Sequence, residues 1–420
     1  MKRYDSYKDS GVKWLGEIPS HWEMLPGLAV LKENKNKNTD LTEKTVLSLS
    51  YGNIIIKKDI DEGLVPTDYK GYQIVHPGYI IIRCTDLQND KVSLRTGLVK
   101  DEGIITGAYL GLIVDESYNP SYIHYFLHSW DITKEIYRHG SGLRQSLSWL
   151  DLRRLPILIP SREEQDRIVS YLNDVVIKID KAIAQQQKMI DLLNERKQII
   201  INNAVTKGLN TNAPMKDSGI DWIGEIPKHW DIVRIKYLLQ ESKERSLSGA
   251  EEPLSMSQIY GLIPTKEMES IPNMASSFIG AKLVSEGDLV FNKLKAHLGV
   301  FNVSKYEGLV SPDYAVYKST GKANLTFLEY VFKTPKCISE FVKLITGVGA
   351  GLSRLYTSDL YSIYCALPPM EEQNRICGYI DDNTRIIKEA ISVYQKQISL
   401  LQERKQIIIN NVVTGKVKVI

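Results

Sequence analysis

Across residues 163–203 the chain contains no proline or glycine, and apolar positions recur in alternating steps of four and three. The series runs Ile168, Leu172, Val175, Ile179, Ala182, Gln186, Met189, Leu193, Arg196, Ile200. Such a stripe, sustained for about five heptads, predicts a long helix with a coiled-coil seam. At ~1.5 Å per residue, this stretch makes a rod of roughly 60 Å. A second, more polar stripe runs Ile376, Ile380, Asn383, Ile387, Ala390, Tyr394, Gln397, Leu401, Arg404, Ile408. Each stretch opens on acidic residues (Glu163-Glu164, Glu371-Glu372) and closes on basic ones (Arg196-Lys197, Arg404-Lys405). That order suits each helix dipole. Side by side, parallel rods would bring like charges together, whereas antiparallel rods set acid against base. An antiparallel coiled coil is therefore expected, with Ile168, Leu172, Val175, Ile179, Leu193, Ile376, Ile380, Ile387 and Leu401 in its seam.

The stripes are one sign of a tandem repeat. Residues 8–22 (KDSGVKWLGEIPSHW) match residues 216–230 (KDSGIDWIGEIPKHW) at eleven of fifteen positions, at an offset of 208. Residues 192–206 match residues 400–414 at thirteen of fifteen positions with the same offset. Between these anchors the halves diverge. Short apolar runs bounded by turn residues, at 78–83, 111–115 and 287–291, predict buried strands. Stretches 120–130 and 325–332 predict helices. The fold class is therefore mixed α/β (α+β). Two similar globular domains, 1–157 and 211–366, alternate with two long helices, 158–210 and 367–420, as a pseudo-twofold internal repeat. The Trp14-to-Trp22 segment and its copy supply four of the six tryptophans and are expected to act as structural latches.

Charge adds little. There are 53 Lys and Arg against 50 Asp and Glu, a net of +3, so a nucleic-acid surface would have to come from local clustering. The four cysteines form no close pair, and no apolar run approaches the ~18 residues of a membrane span. Together with an opening that lacks a signal-like apolar stretch, these features point to a reducing cytoplasm. No catalytic constellation emerges. A phosphate-binding Walker loop is missing, His124 and His128 have metal-ligand spacing without a third ligand, and Gly347 to Gly351 resembles a hinge more than a cofactor loop.

The framing motifs resemble those of specificity subunits of type I restriction-modification systems. The resemblance rests on the D-S-G-x-x-W-x-G-x-I-P-x-H-W opening at 9–22 and 217–230, and on the Pro-x-x-x-Glu-Gln entry to each helix (160–165, 369–373). It also rests on the E-R-K-Q-I-I-I-N-N run that closes each helix. It implies two target recognition domains reading a split double-stranded DNA site, held apart by the helices. The implied partners are two modification (methyltransferase) subunits using S-adenosylmethionine, and restriction subunits using ATP and Mg. The chain itself would be non-catalytic and bind no cofactor. Readout at base edges and phosphates favours Arg, Lys, Asn and Gln. The candidates are Lys35, Lys37, Lys57, Lys58, Arg83, Arg144 and Gln145 in the first half, and Asn292, Lys293, Lys295, His297, Ser353 and Arg354 in the second. Two other readings stay open: the specificity chain of a related fused restriction-methylation system, and a coiled-coil scaffold without DNA binding.

Overall fold

The computed structural model describes residues 2–57, 68–90, 92–140, 145–257, 260–268, 277–345 and 354–419. The chain divides into two compact units, residues 1–187 with 395–420, and residues 188–394. Two long helices, Arg162–Lys207 and Met370–Val413, each contribute to both units. Each begins with two glutamates in its first turn, and a glycine in the left-handed region follows its end: Gly208 at φ 73° and Gly415 at φ 72°. Only glycine adopts that conformation without strain, so it stops a helix cleanly.

In the first unit a four-stranded antiparallel sheet runs in the order Leu31–Glu33, Leu110–Val114, Ile80–Ile82, Thr96–Leu98. The apolar run at 80–82 is buried throughout because both faces of the sheet are covered. Ile80 and Ile82 face a core containing Trp22, Tyr122, Phe126 and Trp130, while Ile81 joins a smaller core with Leu47, Ile54 and Val75. The helix Pro120–Ile132 packs in the larger core, capped by Asn119, whose side chain accepts from the Ser121 and Tyr122 amides. Ile168 and Leu172 from the start of the central helix enter the same core, as do Ile409, Val412 and Val413 from the end of the second. Lys405 Nζ also donates to Asp180 Oδ1 at 2.7 Å.

The second unit repeats the strand order with Leu239–Glu241, Tyr314–Ser319, Leu289–Asn292 and Phe301–Val303. Its core is richer in aromatics: Phe291 stacks on Phe301 at 4.3 Å, with Phe332 and Phe341 at their edges. Ile201, Ala204 and Val205 of the central helix share that core with Ile376 and Ile380 of the second. A helix that the apolar pattern does not announce, Pro335–Leu344, follows Leu325–Phe332.

Of the expected seam residues, Ile168, Leu172, Ile179, Ile376, Ile380 and Ile387 are buried, and Val175, Leu193 and Leu401 are half-buried. Their period differs from the expected seven. Isoleucines at 168, 179, 190 and 201 are buried at intervals of eleven. In the second helix Ile376, Ile387 and Ile409 are buried and Ile398 half-buried at the same interval. Met189, placed in the seam by the heptad reading, is 41% exposed, whereas its neighbour Ile190 is 6% exposed. The cause is geometric. A straight helix drifts about 20° per heptad, so after three heptads the inward position has moved to the next residue.

Candidate nucleic-acid interface

In the second unit, the loop following strand Leu289–Asn292 turns at once. Asn292 Oδ1 accepts from the Leu294 amide at 3.1 Å, and the Lys295 amide donates to the Asn292 carbonyl at 3.0 Å. This turn leaves Lys295 exposed and places half-buried His297 in the short helical turn Ala296–Leu298. The Leu355 amide donates to the Lys293 carbonyl at 3.1 Å and so ties the loop to the segment bearing Arg354. Arg354 Nη2 reaches Asp313 Oδ1 at 3.0 Å.

Beneath these groups lies a buried ion pair. Lys282 Nζ donates to Glu241 Oε1 at 2.8 Å, and the lysine side chain is 7% exposed. Thr357 Oγ1 donates to Glu241 Oε2 at 2.5 Å, and Tyr317 Oη lies 2.9 Å from Thr357 Oγ1. Burial opposes ionisation of Glu241, but the bonds from Lys282 and Thr357 hold its carboxyl below the usual range. Burial, reinforced by the charge of Lys282, pulls the Lys293 ammonium below its ordinary value. Asn292, Lys293 and Arg354 therefore belong to one polar cluster, with Lys295 and His297 on the adjoining turn.

The first unit is built differently. Arg83 Nη1 is held by Asp90 Oδ2 at 3.2 Å. Gln145 donates through Nε2 to the Tyr137 and His139 carbonyls at 2.7 and 2.9 Å, so its amide supports a loop. Lys35 lies 3.7 Å from Glu33, and exposed Lys37 bridges in register with Gln73. Half-buried Lys57 follows the hairpin strand Asn53–Ile56, its amide donating to the Val46 carbonyl at 2.8 Å. Lys58, Arg144 and Ser353 lie outside the described residues.

Residue spacing could not reveal the Lys282–Glu241 pair, whose members are 41 positions apart. Nor did it single out Arg95, which is fully buried. The only local signal is a lone arginine directly before the strand Thr96–Leu98. In the aligned place of the second unit stands Val300, also one residue before its strand.

The histidines find structural settings. His21 and His229 pair with Glu164 and Glu372 beside buried Trp22 and Trp230. His124 and His128 stack at 5.9 Å, and His128 Nδ1 lies 3.1 Å from Thr96 Oγ1. Among the described residues no three His, Cys, Asp or Glu side chains are grouped to hold a metal ion. Burial pushes the Cys84, Cys365 and Cys377 thiols up to about 12. No described helix is long and apolar enough to cross a membrane.

No protein-family profile matches the chain. It is 25% identical, over 98% of both chains, to the putative type I restriction enzyme MjaX specificity subunit of Methanocaldococcus jannaschii. It is 24% identical over 63% of both chains to the type I restriction enzyme MjaVIII specificity subunit of the same organism. Its fold matches a solved chain described in work on complex assembly and conformational transition of the type I R-M system. That match has a TM-score of 0.68 at 15% identity and covers 95% of this chain and 99% of that one. Over its whole length the chain is thus similar to type I restriction enzyme specificity subunits.

Proposed function

From that whole-length similarity we propose that the chain is the non-catalytic specificity subunit of a type I restriction-modification complex. It recognises a two-part DNA sequence, one part through each recognition domain, 1–157 and 211–366. The observation that carries this reading is the 98% coverage of a curated specificity subunit by a chain whose two halves share frame and strand order while their polar loops differ. A fixed frame with divergent loops is what reading two different half-sites requires.

The helices 158–210 and 367–420 form an antiparallel coiled-coil spacer in a chain built as a pseudo-twofold internal repeat. The 2.7 Å Lys405–Asp180 pair supports this arrangement, as does the way the start of one helix shares a core with the end of the other. Two modification subunits dock on the helices. Exposed Ile386 and Val393 in the second unit, and Leu400 and Ile407 in the first, offer them apolar surface. Those subunits supply S-adenosylmethionine chemistry, and restriction subunits supply ATP- and Mg-dependent steps, in the cytoplasm. On one half-site DNA contacts come from Lys35, Lys37, Lys57, Lys58 and Arg144, while Arg83 and Gln145, the other two candidates there, are engaged in holding their loops. On the other half-site the contacts come from Asn292, Lys293, Lys295, His297, Ser353 and Arg354.

Footprinting of the chain assembled with its modification subunits tests the proposal. Two protected half-sites separated by an unread spacer are expected. One continuous footprint, or none, would sink it.

A further inference from the structure

We propose that Gln88 and Asn89 read an adenine-containing base pair in one half-site, and that Arg95 is the positioning residue that holds them in place. The inference rests on the DNA-reading function proposed above.

The loop at 83–90 leaves strand Ile80–Ile82 and lies on the same connection as the Lys293-to-His297 loop of the second unit. It is built around a fully buried guanidinium. Arg95 Nη1 donates to the Arg83 carbonyl at 3.2 Å and to the Thr85 carbonyl at 2.8 Å. Nη2 donates to the Asp86 carbonyl at 3.1 Å and also to the Asp90 carbonyl, and Nε donates to Tyr137 Oη at 3.1 Å. Tyr137 in turn donates to the Asp90 carbonyl at 3.1 Å, and the Arg95 amide donates to Asp131 Oδ2 at 2.6 Å. Leu87 plugs the loop into the core with no exposure.

Taking a guanidinium out of water is costly unless its donors are all matched. Here the matched acceptors are mostly the loop's own carbonyls, so the burial fixes the loop's path. What that path presents is two exposed carboxamides. Asn89 is further oriented by a 2.8 Å bond from its Nδ2 to Asp86 Oδ1.

The charge around the tip separates base reading from phosphate contact. A phosphate-gripping loop presents cations. Among the described residues of this one, Arg83 is paired with Asp90, Arg95 is buried, and Asp86 adds a second carboxylate. A carboxamide offers one donor and one acceptor side by side, the pattern that matches N6 and N7 of adenine in the major groove. In the second unit Val300 stands in place of Arg95, and Lys293 and Lys295 directly follow the strand. The two loops therefore suit different targets.

The test uses the full chain assembled with its modification subunits, and bipartite duplexes in which each base pair is replaced singly. Gln88→Ala and Asn89→Ala should lower discrimination at one adenine position by roughly 5- to 100-fold. The other half-site and the salt dependence should stay unchanged. Gln88→Glu should move the preference at that position toward cytosine, whose amino group a carboxylate accepts. Arg95→Met should relax the same position and add little to Gln88→Ala. Unchanged discrimination in the Gln88→Ala/Asn89→Ala double variant would overturn the proposal. So would a uniform loss across all sequences with a shallower salt slope, which marks a phosphate contact. A wild-type complex with no bipartite preference would instead overturn the function on which the proposal rests.

Discussion

His229 Nε2 lies 2.7 Å from Glu372 Oε2, and the pair joins the opening segment of the second repeat to the first turn of its long helix. His21 and Glu164 do the same in the first repeat at 3.1 Å, with the same separation of 143 residues. The histidine side chains are half exposed, so these pairs add little by themselves. Their neighbours Trp22 and Trp230 are fully buried, and their indole nitrogens have no partner among the described residues. His229→Ala should cost under about 1 kcal/mol of stability. Trp230→Ala should cost about 3–5 kcal/mol through lost packing, and Trp230→Phe markedly less, because no hydrogen bond goes with it. Denaturant unfolding of the three variants checks the ranking.

The stacked pair His124 and His128 sets an acid limit for the first unit. Burial, then the charge of the neighbouring His128, pulls His124 down to about 3, and burial, then Lys405, pulls His128 down to about 4. Both are favoured neutral in the fold. Their contribution is complete above the ordinary imidazole value of about 6.5 and is lost as pH falls toward 4. Burial pushes Asp131 up to about 6, and this works the other way: the fold prefers the protonated acid, so stability rises as pH falls from about 6 toward 4. With two imidazoles against one carboxyl, the net expectation between pH 6.5 and 4 is a loss. Other groups around the pair are Lys100, Thr96, Tyr125 and, from the second long helix, Lys405 with its partner Asp180. The aligned positions of the second unit, five and nine residues beyond the capping Asn324, hold an ion pair, Glu329–Lys333 at 2.6 Å. Protection factors at the Phe126 and Leu127 amides, taken relative to the intrinsic exchange rate at each pH, should fall from pH 6.5 to 4.5, and His124→Gln with His128→Gln should flatten the profile.

Lys295 is exposed on a turn whose geometry comes from Asn292, so its removal should leave the fold intact. Lys295→Ala should weaken DNA binding about equally for all sequences and lower the slope of log affinity against log salt by about one. A titration series from low to moderate salt reads this directly. A change in sequence preference instead would place Lys295 at a base edge.

The eleven-residue interval of buried isoleucines sets the step by which the rods can be lengthened. Inserting eleven residues after Lys188 and eleven after Tyr394 keeps every inward position inward and adds about 16 Å. That should shift the preferred spacer between half-sites by about five base pairs, at ~3.4 Å per pair. Two-residue insertions at the same points rotate the stripe by about 200° and should lower stability. Selection of bound sequences from spacer libraries, together with thermal unfolding, separates the two outcomes.

Much of the architecture was legible in the residues. Strands such as Ile80–Ile82 and Leu289–Asn292 announce themselves as apolar runs between turn residues, and the repeat anchors are close to identical. In the helix stripe a heptad template fits the first twelve residues as well as an eleven-residue one does. Only accumulated drift, visible at Met189 and Ile190, distinguishes the two. The loops were least legible. Arg95 acts on backbone carbonyls, which every residue carries, so nothing in the identities of residues 83–90 betrays the contact. Lys282 and Glu241 stand on strands of two different sheets and meet only once the chain is folded.

The core of the first unit includes Ile409, Val412 and Val413, and the Lys418 amide donates to the carbonyl of Lys2. During synthesis, a chain that has emerged as far as Tyr394 already holds every residue of the second unit, whereas the first, begun much earlier, still lacks a wall of its core. Ribosomal order and folding order are thus reversed. The domain translated first is the last that can close, and a chain truncated near residue 400 would carry one finished unit and one still exposed to proteases and chaperones.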